Sequence, residues 1–212
     1  MLTDFQMKRL AIFVSGGGTN LQQIADYFAP NPDVEVVCVV SNNKDAYANV
    51  RAKNLGIPLI MLNSKAKVHD AELQSQYEVA KTFDFQDKAF SEYLKSLGVD
   101  LVVLAGFLWL IPQHLLDAFP MRIINIHPAL LPKYGGKGFY GHHVHEAVVA
   151  HHEKESGITI HYVNEHYDSG DIIFQKSVAL EDNDTADDVA AKIHILERDN
   201  FPAVIDWLLG KL

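Results

Sequence analysis

The sequence predicts an α/β protein of one domain, built around a mainly parallel sheet, and three observations carry that expectation. Short β-rich runs alternate with amphipathic segments up to Ile126, the repeat that parallel strands joined by crossover helices produce. One run, Leu101 to Ala105, is apolar at every position, as a strand covered on both faces is. The 212 residues contain no low-complexity linker, so the length suits a single sizeable core.

Taken in order, the first strand is Leu10 to Val14, which empties into Ser15-Gly16-Gly17-Gly18-Thr19-Asn20-Leu21. Apolar spacing predicts a helix over Asn20 to Phe28. A second strand, Val34 to Val40, precedes a weaker helical segment, Tyr47 to Leu55, and a third strand spans Pro58 to Leu62. A helix over Asp87 to Leu97 leads into Leu101 to Ala105, and Ile123 to Ile126 closes the alternating series. The pattern then changes, because Gly157 to Val163 and Asp171 to Val178 flank a polar turn holding Asp168, Ser169 and Gly170, which reads as a β-hairpin. Asp184 and Thr185 offer N-caps to a last helix, Ala186 to Arg198, with Pro202 shortly after it and a short terminal segment through Trp207.

Composition narrows the partners. Hydrophobic residues make up 48% and charged residues 21% of the chain, an ordinary globular balance. A formal charge of −9 argues against nucleic acid or an acidic membrane as partner and leaves any phosphate site to a local pocket. The single cysteine, Cys38, lies in the apolar run Val36 to Val40, so a buried thiol and a reducing, cytoplasmic setting are expected. Residues 1 to 9 include Asp4 and Gln6 and lack the pattern of a secretory signal. No apolar run is long enough to span a bilayer.

Three motifs carry chemistry. In Ile123-Ile124-Asn125-Ile126-His127-Pro128-Ala129-Leu130-Leu131-Pro132, a strand presents Asn125 and His127 on one side, since side chains two apart share a face. Pro128 biases His127 towards an extended conformation and ends the strand there, at the carboxyl end where open α/β sheets bind ligands. The pair can serve as oxyanion donor and proton carrier, or can simply satisfy backbone groups within a buried strand. The glycine loop after strand one can present amides to an anion, or be a turn with Thr19 or Asn20 as N-cap. It matches neither a dinucleotide fingerprint nor a P-loop. Asp168 can turn towards His127 and favour its charged form, or bond only to its own turn.

Together, Asn125-Ile126-His127-Pro128, Leu130-Leu131-Pro132-Lys133-Tyr134, the Ser15 to Leu21 loop, Leu104-Ala105-Gly106-Phe107 and the Asp168 turn resemble the phosphoribosylglycinamide formyltransferases, of the folate-dependent formyltransferase superfamily. The resemblance runs in order from about residue 8 to the terminal helix. It implies a Rossmann-like, mainly parallel seven-stranded sheet with flanking helices in a single formyltransferase domain over residues 1–212, with its sheet core at about 8–200. Within it a phosphate-binding half falls at about 8–100 and a folate and catalytic half at about 101–200. It implies transfer of formyl from 10-formyltetrahydrofolate to the amine of glycinamide ribonucleotide in purine biosynthesis, without metal, by a monomer or homodimer. Carried over by motif, Asn125, His127 and Asp168 are the catalytic trio, with protonated His127 and Asn125 as oxyanion donors and Asp168 keeping the imidazole charged. Gly18, Thr19 and Asn20 hold the substrate phosphate, and Glu197, with His194, contacts the rest of that substrate. Leu108, Trp109, Leu110 and Ile111, with Asn125 and the turn Asn164, Glu165, His166, Tyr167 and Asp168, meet the folate, and Lys88 stands in for a missing Arg.

Trp109 and His194 depart from the family pattern, where Arg and Gln are common. The stretch from Gly135 to Gly141 is longer than in many relatives, and the loop 133–141 that holds it is either a flap over the substrates or an ordinary surface loop. His142, His143, His145, His151 and His152 lie in a helical segment and read as a partly exposed polar face rather than a metal site. His161 reads as a satisfied strand residue. Rival readings are a formyl-folate hydrolase, a transfer-RNA formyltransferase, which usually carries a basic carboxyl-terminal domain, and a non-catalytic nucleotide-binding module.

Overall fold

Residues 7–63 and 79–212 are described by the computed structural model, which leaves Asp4 and Gln6 outside the described residues. The sheet is laid down by β1 (Lys8–Val14), β2 (Val34–Ser41), β3 (Leu59–Asn63), β4 (Val79–Asp84), β5 (Leu101–Leu104), β6 (Ile123–His127), β7 (Glu155–Tyr162) and β8 (Ile172–Ala179). The helices are α1 (Thr19–Phe28), α2 (Tyr47–Asn54), α3 (Lys88–Ser96), α4 (Gln113–Ala118), α5 (His142–Ala150) and α6 (Ala186–Leu209). The strand order is β4-β3-β2-β1-β5-β6-β7-β8, parallel as far as β6 and antiparallel for the last two strands. The chain therefore winds outward from β1 to β4 and restarts at β5 on the other side of β1. A crevice opens at the carboxyl ends of strands where such an order reverses.

Alternation sorts each central strand between two cores. Leu10, Ile12 and Val14 of β1 join Val103 and Ile124 beneath α1 and α6, while Ala11 and Phe13 join Val102, Leu104 and the α3 side chains Phe90 and Leu94 on the opposite face. Phe13 meets Phe107 edge-on at 5.3 Å between ring centroids, and Cys38 is fully buried in this second core. Its burial pushes the thiol pKa up to about 12.

Beyond the short helix α4, which the sequence pattern did not mark, two elements differ from expectation. The sheet has eight strands rather than seven, and the addition is the edge strand β4, whose middle residues are exposed. Its sequence Val79-Ala80-Lys81-Thr82-Phe83-Asp84 places a lysine between two apolar residues of one side. There the ammonium of Lys81 sits 4.1 Å from the centroid of Tyr93, a cation–π contact that takes the place of an apolar side chain. The last helix also runs on through Pro202 to Leu209. Proline removes one helical hydrogen bond at a cost of about 3 kcal/mol. Four apolar residues beyond Asn200, namely Phe201, Ile205, Leu208 and Leu209, are buried in the core, each contributing roughly 1.5–3 kcal/mol, so packing outweighs the loss. The amino end of α6 is fixed by a capping box between Thr185 and Asp188.

The connection from β7 to β8 is equally constrained. A Cβ at Gly170 would stand 1.8 Å from the carbonyl oxygen of Tyr162, closer than any rearranged side chain can relieve. Gly170→Ala is expected to destabilise the fold by about 2 kcal/mol or more, seen as a lowered denaturant midpoint, and an unchanged midpoint would contradict this packing.

Candidate active site

β6 delivers the polar pair. Asn125 and His127 emerge on one side of the strand, and antiparallel β7 sets His161 opposite Asn125 and Thr159 opposite His127. Cross-strand partners of this kind share a face. Thr159 braces the proline-bounded turn that follows: its hydroxyl donates to the Ala129 carbonyl at 2.7 Å and accepts from the Leu131 N–H at 3.0 Å.

Asp168 comes to the same place from the β7–β8 connection. Its backbone adopts φ of 52°, and its Oδ2 accepts the Gly136 N–H at 2.9 Å while lying 3.5 Å from His127 Nδ1. Oδ1 faces Asn125 Nδ2 at 3.5 Å and His161 Nε2 at 3.7 Å. Burial pushes the carboxyl pKa up, but the His161 and His127 imidazoles and the Gly136 N–H outweigh it and hold it below the ordinary value. Asp168 is thus a carboxylate at neutral pH.

His127 departs from the expectation that Asp168 keeps it charged. Its Nε2 lies 2.6 Å from the Tyr134 carbonyl, so that nitrogen carries a hydrogen and donates it. With Nδ1 turned to Asp168, both nitrogens face acceptors, which favours the cation. Burial is the larger effect, and with His161 nearby it brings the pKa below 6.5 despite Asp168 and Tyr134. At neutral pH the ring is mainly neutral, with its lone pair on Nδ1.

His161, read from the sequence as a satisfied strand residue, has partners at both ring nitrogens and also belongs to the site. It is buried, and its Nδ1 lies 2.8 Å from the Tyr162 carbonyl while Nε2 lies 3.1 Å from Asn125 Nδ2. A nitrogen beside a carbonyl must carry the hydrogen, so in the neutral ring Nε2 accepts from the Asn125 amide. This holds the amide nitrogen of Asn125, rather than its oxygen, towards the grouping. The signal for it was the β6–β7 register, which a single sequence does not display.

Asn125, His127 and Asp168 line a cleft of about 370 Å³, together with Leu108, Tyr167 and the segment from Gly136 to Gly141. The glycine-rich stretch is therefore a wall of the cleft, clasped to it by Asp168. A smaller recess of about 50 Å³ adjoins, sharing Asn125, Tyr167 and Asp168 and adding Trp109, Leu110, Ile111, Asn164, His161 and His166. Trp109 packs on Phe85 at 5.6 Å between centroids. Of the expected folate contacts, Lys88 and Glu165 line neither cavity.

The glycine loop abuts this cleft, with the Leu108 N–H donating to Ser15 Oγ at 3.0 Å and the Ser15 N–H to the Gly106 carbonyl at 3.1 Å. Gly18, not Thr19 or Asn20, is the N-cap of α1, with φ of 74° and no side-chain cap. A Cβ there would meet Ala48 Cβ at 2.7 Å, so only glycine lets α2 approach. Thr19 and Asn20 open the helix. Glu197 is buried on α6 and accepts from His194 Nδ1 at 3.0 Å; this bond is the main cause of a raised pKa for the half-exposed His194. Neither residue lines the cleft of His127. His145, which has His194, Glu197 and His127 among its electrostatic neighbours, is buried rather than part of an exposed face. Burial, with the nearby His194 and His142, brings its pKa down to about 4. His142 and His143 do form an exposed face, paired with Glu146. Among the described residues no group of three or more His, Cys, Asp or Glu could hold a metal ion.

The sequence profile of the formyl transferases matches residues 8–205, and the chain belongs to that family. Within the family its similarity is to the phosphoribosylglycinamide formyltransferases. The chloroplastic enzyme of that name from Arabidopsis thaliana is 43% identical over 88% of this chain and 60% of its own length. The Haemophilus influenzae enzyme is 36% identical over 95% of this chain and 87% of its own. The crystal structure of glycinamide ribonucleotide transformylase 1 from Symbiobacterium toebii superposes with a TM-score of 0.82 at 31% identity, covering all 100% of this chain and 92% of that one. The chain thus spans about 60% of the length of its plant relative.

Two outcomes test the protonation states. A buried neutral His145 stabilises the fold above its unfolded pKa near 6.5, and that contribution is lost as pH falls towards about 4. The loss reaches about 3 kcal/mol, so Tm should fall less steeply between pH 7 and pH 4 in His145→Gln than in the parent. For His161, nitrogen-15 NMR should show the hydrogen on Nδ1, and a resonance pattern with the hydrogen on Nε2 alone would contradict the assignment of the Asn125 amide.

Proposed function

We propose that the chain transfers a formyl group from 10-formyltetrahydrofolate to the amine of glycinamide ribonucleotide, a step of purine biosynthesis. The observation that carries this reading is the convergence of Asn125, His127 and Asp168 in one cleft that adjoins the glycine loop. The glycine loop and first turn of α1 take the substrate phosphate. Glu197 and His194, which lie outside the cleft of His127, meet the part of that substrate that extends beyond it, and the recess beside Trp109 takes the pterin of the folate.

The amine nitrogen attacks the formyl carbon, forming a C–N bond and turning the carbonyl into an oxyanion. Asn125 Nδ2, its orientation set by His161, donates to that oxygen as the charge develops. His127 takes the amine's proton on Nδ1, and the cation so formed lies beside Asp168, whose charge stabilises it. The proton then passes to the departing folate nitrogen as its bond to the formyl carbon breaks. Asp168 thus stabilises the charged imidazole where it is needed, during transfer. All groups in this sequence belong to the chain or its two substrates. A cytoplasmic setting belongs to the same proposal, supported by a lone, buried Cys38.

The reading is tested by following 10-formyltetrahydrofolate with and without glycinamide ribonucleotide. Loss of formyl should require the amine, and equal loss without it would favour the hydrolase instead. In the same assay kcat/KM should fall with decreasing pH along a limb centred below 6.5, as His127 takes up a proton and stops acting as base. Asp168→Asn removes a charge that raises the His127 pKa, so the residual activity should show that limb at still lower pH.

A further inference from the structure

A phosphate-binding loop in a chain of net charge −9 needs local help, since the overall field repels a phosphate. The loop's own geometry shows where that help originates. Four successive carbonyls are tied down by hydrogen bonds. Ser15 O accepts from Asn43 Nδ2 at 3.0 Å, Gly16 O from the Ala48 N–H at 3.0 Å, Gly17 O from Arg51 Nε at 2.9 Å and Gly18 O from the Gln22 N–H at 3.0 Å. Three of these four donors come from the β2–α2 connection and α2. A peptide plane whose carbonyl is held on one side shows its N–H on the other, so the clamp aims the amides that follow.

Arg51 is the charged member of the clamp. Its guanidinium is fixed in three ways: Nε on Gly17, Nη1 on Gln22 Oε1 at 3.4 Å, and the plane 5.1 Å from the centroid of the Tyr47 ring. These contacts leave Nη2 without a partner among the described residues. Bonding Nε to Gly17 requires the guanidinium to sit against the loop, so its positive charge is held beside the same peptides that face the anion. Lysine has neither the planar fork nor an Nε hydrogen and could supply only the charge.

We infer that Arg51 is a positioning residue for the phosphate of the amine substrate, holding the Gly17 peptide in its binding orientation and supplying cationic charge beside the loop. This rests on the reading of the glycine loop as the phosphate site. It explains why a short helix with weak amphipathic character is packed so closely on the loop that Gly18 tolerates no Cβ.

The test compares glycinamide ribonucleotide with the same glycinamide riboside lacking its phosphate, in the parent chain, Arg51→Met and Arg51→Lys. In the parent, removing the phosphate should raise KM; if it does not, the phosphate reading of the loop fails and the inference with it. If it does, Arg51→Met should raise KM for the phosphorylated substrate about tenfold or more, with kcat within about threefold and KM for the riboside unchanged. Arg51→Lys should fall between the two. An unchanged KM in Arg51→Met, or an equal rise for both substrates, would overturn the role of Arg51 while leaving the loop's reading intact. The Lys variant keeps the comparison available should the Met variant fail to fold.

Discussion

The site depends on one carboxylate kept where water has little access. Asp168 is mostly buried, and a charge in that position persists only if polar groups surround it. Its surroundings come from separate stretches of chain: Asn125 and His127 from β6, His161 from β7, and the Gly136 N–H from the glycine-rich wall. Satisfying that carboxylate therefore assembles the grouping. The backbone gives way to it at Gly135, where a Cβ would press on Leu131 at 2.4 Å and on the Asp168 Cβ at 3.2 Å. The glycines of this wall thus serve close approach as well as conformational freedom.

The sequence showed whatever rests on local periodicity. The two-residue repeat set Asn125 and His127 on one side of β6, and Gly16 to Gly18 between a strand and a helix marked the loop. It could not show Asp168 beside His127, because that contact depends on how the β7–β8 connection folds over the sheet. The place of Asp168 was supplied by resemblance, and the distances now give it a physical basis. The opposition of Asn125 and His161 required strand register, and β4 was hidden because an exposed lysine, packed on an aromatic ring, stands between its two apolar residues.

Proline and histidine were misjudged for a shared reason. Both were read by their intrinsic preferences, which burial overrides. Pro202 continues a helix because the residues beyond it fill the core, and His145 is neutral chiefly because it is buried. In His127 the same competition is closest: two acceptors favour the cation, yet desolvation wins in the free site. This balance suits a group that must accept a proton and release it within one reaction, since neither state is held deeply.

The fully buried Cys38 has a consequence of another kind. A thiol with a pKa near 12 exposes almost no thiolate at neutral pH, and thiolate is the form that reacts with alkylating reagents and oxidants. Its β2 position between the sheet and the α3 layer means that reagent can reach it only when that layer parts from the sheet. The chain consequently carries a built-in chemical clock for the opening of its core. The rate at which a thiol reagent labels Cys38 counts those openings, whereas exposed motions of the cleft wall pass unrecorded.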